Sequence, residues 1–220
     1  MLLSVFSPLL ATPALSMPPF IGFQHFSNGS YTSTNWSGYA VTGASGSVTS
    51  AVGSWTVPAA TPGTSRTTTY YAAFWVGIDG FSSSTVEQTG TISQITGSTP
   101  TYYAWYEFYP SPMYQITSVP INPGDQMLAT VTYTGQSRSF FGRTASTFSV
   151  TITDETTSKS FTTTATVSGA ARSSAEWVAE APSSNRGVLP LTNFGTAQYG
   201  LDYTSVAGTC YATVSGVKGR

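Results

Sequence analysis

From about Asn35 onward the chain is a succession of short runs rich in Val, Thr, Tyr, Phe and Trp, each broken by Gly, Pro, Asn or Ser. Those residues suit a pleated, half-buried surface, and breakers at this spacing punctuate antiparallel sheets. The pattern predicts strands over 36–42, 47–57, 69–79, 84–95, 101–109, 114–119, 126–134, 145–153, 159–167, 173–181, 190–194 and 206–215. No segment carries a helical apolar period. A chain of 220 residues is long enough for one domain with a real core and short for two. The expected fold class is all-β, a two-sheet antiparallel β-sandwich.

Side chains alternate between the two faces of a strand, and four runs use that alternation to build one unusual face. In 71–79, Ala72, Phe74, Val76 and Ile78 share an apolar face, while Tyr71, Trp75 and Asp79 share the other. In 102–109, Tyr103, Trp105, Glu107 and Tyr109 lie together. Ser84, Val86 and Gln88 point one way and Glu87 the other. Glu176, Val178 and Glu180 lie together, opposite Trp177. An aromatic face carrying carboxyl and amide groups on a curved sheet suits an extended cleft for a polymer. Each Trp taken singly fits a core position equally well.

Only 8% of residues are charged, against roughly 25% in ordinary globular proteins. With 8 basic and 9 acidic residues there is no basic field for nucleic acid and no polybasic stripe for a membrane surface. Full protonation of the carboxyls would leave few positive charges to repel one another, so the chain can remain folded in acid. Residues 1–16 (MLLSVFSPLLATPALS) resemble the apolar core of a secretory signal, with Ala11, Ala14 and Ser16 as a small-residue cleavage pattern. Residues 17–34 read as a leader or loop, and 35–220 as the domain. A secreted monomer is expected.

The chemistry is narrowed by what is scarce. The one histidine, His25, falls in the leader, which disfavours Ser–His–Asp and Cys–His mechanisms and His-based zinc sites. One cysteine, Cys210, permits no internal disulfide and no thiolate cluster, and fits a buried small apolar position. No glycine-rich phosphate loop is present. Carboxylate chemistry remains. Asp125, Asp154, Glu155 and Asp202 sit in turn-like contexts. Asp79, Glu107, Glu176 and Glu180 lie within or at the ends of apolar strands, where acid–base candidates arise; each is as readily a hydrogen-bonded structural acid.

Five segments then supply a resemblance: Asn35-Trp36-Ser37-Gly38, Trp75-Val76-Gly77-Ile78-Asp79-Gly80, Glu87-Gln88-Thr89-Gly90, Tyr103-Ala104-Trp105-Tyr106-Glu107-Phe108-Tyr109-Pro110 and Ala175-Glu176-Trp177-Val178-Ala179-Glu180. In content and order they resemble the signature stretches of the glutamic peptidases, or eqolisins, over about residues 35–215. The resemblance implies a concanavalin-like sandwich with an extended cleft on one curved sheet. It implies a secreted acid endopeptidase that needs no metal or cofactor, acts on polypeptides and is insensitive to pepstatin. It assigns catalysis to Gln88 and to Glu180 rather than Glu176. Asp79 and Glu107 would support the pair by hydrogen bonding, with Trp36, Trp75 and Trp105 as aromatic residues of the cleft. Unlike many fungal relatives, the chain carries neither a disulfide nor a long propeptide, and the leader could serve as a short strand or a plug for the cleft.

The rival reading is a glycoside hydrolase or carbohydrate-binding sandwich using Glu107 and Glu180, with the three Trp residues stacking on sugars. Glu176 and Glu180 would stand about 13 Å apart by strand rise, too far for such a carboxyl pair. A Gln88 remote from Glu180 would favour this alternative. A non-enzymatic adhesion module fits the Ser/Thr-rich strands but gives Gln88 and Glu180 no reason to share a cleft.

Overall fold

The structure, a computed structural model, describes residues 14–19, 22–25, 29–138, 144–200 and 210–219. Its strands in chain order are β1 (Gly22–His25), β2 (Tyr31–Ser33), β3 (Trp36–Thr42), β4 (Val48–Thr56), β5 (Thr69–Ile78), β6 (Val86–Thr96), β7 (Thr99–Tyr109) and β8 (Tyr114–Pro120). They continue as β9 (Gln126–Arg138), β10 (Thr144–Asp154), β11 (Lys159–Ser168), β12 (Ser174–Glu180), β13 (Ser183–Ser184), β14 (Gly187–Val188), β15 (Cys210–Val214) and β16 (Val217–Gly219). Two six-stranded sheets form the body, in the orders β11-β10-β9-β4-β15-β16 and β3-β12-β5-β6-β7-β8. The pairings within them are antiparallel, so the expected sandwich is the architecture observed.

The two faces of the second sheet sort as alternation predicts. Ala72, Phe74, Val76, Ile78, Ala104, Phe108, Ala175 and Trp177 turn inward against Ala51, Trp55, Met127, Ala129, Val131, Phe148, Val150 and Ile152 of the first sheet. Burying each larger side chain contributes about 1.5–3 kcal/mol. Tyr71, Ala73, Trp75, Val86, Ile92, Trp105 and Val178 gather in a separate apolar cluster on the opposite face.

Two sequence expectations are corrected. The leader, expected over 17–34, is not all loop, because β1 and β2 pair as a hairpin and Met17 lies in the second apolar cluster, together with Leu15 of the expected signal. Residues 190–194 form isolated bridges, Tyr71 with Leu191 and Thr61 with Asn193, instead of a strand; Pro190 offers no N–H to a ladder. The strand expected over 206–215 is described from Cys210 as β15, and residues 206–209, Asp202 and residues 1–13 of the expected signal lie outside the described residues.

The turn readings for Asp125 and for the Asp154-Glu155 pair hold in physical detail. Asp125 accepts from the Asn122 N–H at 2.6 Å. Asp154 accepts from the Thr156 and Thr157 N–H groups at 2.9 and 3.2 Å. On the first sheet, hydroxyls pair across strands: Thr147 with Thr166 at 3.0 Å, Thr151 with Thr162 at 2.9 Å and Thr153 with Ser160 at 2.9 Å. Such pairs occupy positions where charged pairs are common elsewhere.

Candidate active site

Strand register brings the polar residues of the outer face into rows. Glu176, Gly77, Gln88 and Glu107 lie in line across β12, β5, β6 and β7. The next row in the same direction is Val178, Trp75, Gly90 and Trp105, and the one after is Glu180, Ala73, Ile92 and Tyr103. Small residues at Gly77 and Gly90 let bulky neighbours lie over the sheet. A Cβ on Gly77 would come within 2.8 Å of the Trp75 ring, and one on Gly90 within 2.1 Å of the Phe74 carbonyl oxygen.

Glu180 is fully buried. Trp75 Nε1 donates to its Oε2 at 2.9 Å and Asn35 Nδ2 to its Oε1 at 3.3 Å. Trp36 packs edge-on against Trp75, ring centroids 4.9 Å apart, and its indole also favours the Glu180 carboxylate. Burial pushes the Glu180 carboxyl well above the usual range, and Glu107 pushes it further; the Trp75, Trp36 and Asn35 donors pull it back. Beneath this group, Tyr199 is wedged between β5 and β12. Its hydroxyl accepts from the Trp75 N–H at 3.1 Å and donates to the Val178 carbonyl at 2.6 Å.

Gln88 is also fully buried. Its Nε2 donates to Glu107 Oε2 at 2.9 Å and to the Met17 carbonyl at 3.0 Å. Its Oε1 is enclosed with no donor in hydrogen-bonding position among the described residues. Burial raises the Glu107 carboxyl to about 8, against the pull of Met17, Ser16 and Gln88. Glu107 therefore links the two ends of the site: it is bonded to Gln88, and its charge bears on Glu180.

Asp79 stands apart from this pair. It closes β5 with φ of 68°, and its carboxylate accepts from the Arg172 and Ser173 N–H groups at 2.6 and 2.9 Å. Among the described residues its bonds secure the 172–173 segment, with none to Gln88 or Glu180. Its charge bears instead on Glu87 and Glu176, both buried and raised well above the usual range by desolvation first. Neither oxygen of Glu87 or Glu176 has a donor at bonding geometry among the described residues. Trp105 is buried, its Nε1 without an acceptor on the same terms. No group of three or more His, Cys, Asp or Glu among the described residues could hold a metal ion.

Sequence reasoning missed three contributors. Asn35 was visible as part of a motif, but its bond to Glu180 spans 145 positions. Tyr199 carried no local signal. Met17, in a Pro-rich stretch that reads as loop, is fully buried, with its N–H donating to Glu107 Oε2 at 3.1 Å.

Comparison with known proteins gives a consistent picture. Residues 34–216 match the Peptidase A4 family. Aspergillopepsin-2 of Aspergillus niger is 30% identical over 187 residues, covering 76% of this chain, which spans 62% of that relative's length. The scytalido-glutamic peptidase bound to a transition-state analogue inhibitor has a similar fold, with TM-score 0.66 and 24% identity over 84% of this chain and 83% of its own. The aspergilloglutamic peptidase of Aspergillus niger superposes with TM-score 0.54 and 29% identity over 68% of this chain and 80% of its own.

Proposed function

The chain belongs to the Peptidase A4 family, and from that premise we propose that it is a secreted glutamic endopeptidase in which Glu180 activates water and Gln88 holds the developing oxyanion. The observation that carries this reading is the Gln88 amide, which donates at 3.0 Å to the peptide carbonyl of Met17, a residue packed in the same apolar cluster as Trp75, the donor to Glu180. An amide donor so placed meets the geometric requirement for stabilising charge on a carbonyl oxygen under attack.

The steps follow from the protonation states. The ionised fraction of Glu180, small in acid because burial favours the neutral carboxyl, takes a proton from a water, which adds to the scissile carbonyl, and then returns that proton to the leaving amine. Gln88 carries no charge in either state, so it does not oppose ionisation of Glu180 as a second carboxylate would. Glu107, raised to about 8, is neutral in acid and holds the Gln88 amide in place without adding a negative charge beside Glu180. Once the pH climbs toward 8 that neutrality is lost, which gives the site an acid range.

A sugar-cleaving alternative is less well supported. Trp75 and Trp105 are fully buried, with Trp36 edge-on to Trp75, which leaves little flat aromatic surface for stacking. The deciding experiment is incubation of protein recovered from the medium with a denatured protein at pH 3–4, with and without pepstatin. New peptides should form at the same rate in both. Cleavage of a glycan with no peptide released would reverse the reading.

The donors around Glu180 give a finer expectation. Trp75→Phe removes the indole N–H that stabilises the carboxylate, a charge-assisted bond worth about 1.5–3 kcal/mol. The Glu180 carboxyl then rises further, and the acid limb of the activity profile moves up by about 1–2 pH units. A profile unchanged in shape would show that Glu180 is not the group titrating on that limb.

A further inference from the structure

Residues 14–19 reach the cleft in a way that a structural amino-terminal strand would not need. Ser16 and Ser183 exchange backbone bonds, 2.9 Å from the Ser16 N–H and 2.8 Å from the Ser183 N–H, so the segment is clipped in extended form onto β13. This is the pairing by which a bound peptide adds a strand to an edge. Met17 then bonds to side chains of the sheet floor: its N–H donates to Glu107 and its carbonyl accepts from Gln88. Leu15 and Met17, two residues apart and so on one side of an extended segment, both enter the apolar cluster of the cleft. Met17 is fully buried and Leu15 is 9% exposed.

We infer that Leu15-Ser16-Met17-Pro18 is an intramolecular pseudo-substrate, lying in the register of a scissile peptide with the Met17 carbonyl on the Gln88 amide, and that it blocks the cleft until it leaves. This rests on the peptidase reading above. The register names the substrate class: an extended peptide with apolar side chains on the residue whose carbonyl meets Gln88 and on the residue two before it. Pro18 explains how such a segment can rest at the site. The bond presented is Met17–Pro18, whose nitrogen carries no hydrogen and whose ring fixes φ, so the leaving group is a secondary amine held in a rigid ring.

The test uses the full chain with Met17→Arg, which puts a charge where the side chain is buried, and Ser16→Pro, which deletes the N–H that pairs with Ser183. Hydrolysis of denatured protein at pH 3.5 is measured on samples whose intact mass shows residues 14–19 still attached. Either variant should be at least tenfold more active than the parent chain. The peptide Ala-Leu-Ser-Met-Pro-Pro added in trans should suppress the variants, and a version with Arg for Met should not. Peptide binding is followed separately through the fluorescence of the cleft tryptophans. A parent chain as active as its variants, with the segment attached, overturns the inference and leaves the peptidase reading standing. Peptide binding by the variants without proteolysis by any form overturns the peptidase reading instead, while supporting occupancy of the cleft by the segment.

Discussion

Glu180→Gln is expected to lower peptidase activity at pH 3–4 by roughly a thousandfold and yet leave a folded chain that withstands neutral pH better than the parent. The loss follows because an amide cannot take the proton from water. The retained fold follows from shape, since the replacement fills the same buried volume between Trp75 and Asn35. One of the two bonds to Glu180 is sacrificed, because the new NH2 must face either the Trp75 N–H or the Asn35 amide. That costs about 1–3 kcal/mol. Against it, the variant no longer has to ionise a fully buried carboxyl as the pH rises. Activity and a denaturation midpoint at pH 7 decide the matter together. A variant that keeps activity removes Glu180 from the chemistry, whereas one that is inactive because it has unfolded is exposed by the second measurement. Gln88→Ala should lose roughly 10²- to 10³-fold without any gain at neutral pH.

The second large effect concerns the fold itself. Glu87, Glu107, Glu176 and Glu180 all have carboxyls raised above the ordinary 4.5 by burial. For such a group the neutral form is favoured in the folded state. Its contribution to stability is complete below the unfolded value near 4.5 and is lost as the pH rises through the folded value. For Glu107 that window runs from 4.5 to about 8. Each tenfold change in proton affinity is worth about 1.4 kcal/mol, so this residue alone costs roughly 5 kcal/mol across the window. The other three act in the same direction, and total stabilities of domains are only about 5–15 kcal/mol. The urea midpoint should therefore fall steeply between pH 3.5 and 7.5, with unfolding at the upper end. Replacing Glu87 and Glu176 together by Gln should flatten the curve. A midpoint that is constant or rises with pH would contradict the burial of these groups as neutral acids.

What was legible in the sequence is what alternation encodes. Period two told which side chains of 71–79, 102–109 and 175–180 share a face, because that information is local to each strand. Register is not local. That Glu176, Gly77, Gln88 and Glu107 form one row depends on pairings across four strands, and no single strand states it. The same limit hid Tyr199, which acts between two strands from a segment without regular structure. Asp79 illustrates a different one. Its motif placed it correctly at a strand end, but the direction of its carboxylate is set by a positive φ and by the 172–173 backbone, neither of which the motif records. Residues 190–194 looked like a strand because Leu, Thr and Phe fit a pleated surface, but they make only isolated bridges, and Pro190 has no N–H to offer a ladder.

The hydroxyl pairs that run along the first sheet have a consequence for the medium in which the chain can work. Bonds between Thr147 and Thr166, Thr151 and Thr162, and Thr153 and Ser160 join neutral groups. Dissolved ions weaken an attraction between opposite charges at the surface within a distance of about 10 Å at 0.1 M, but find no charge to screen in a pair of hydroxyls. These three pairs are thus as well held in brine as in dilute buffer, while the buried carboxyls of the other sheet answer to the acidity of the solvent.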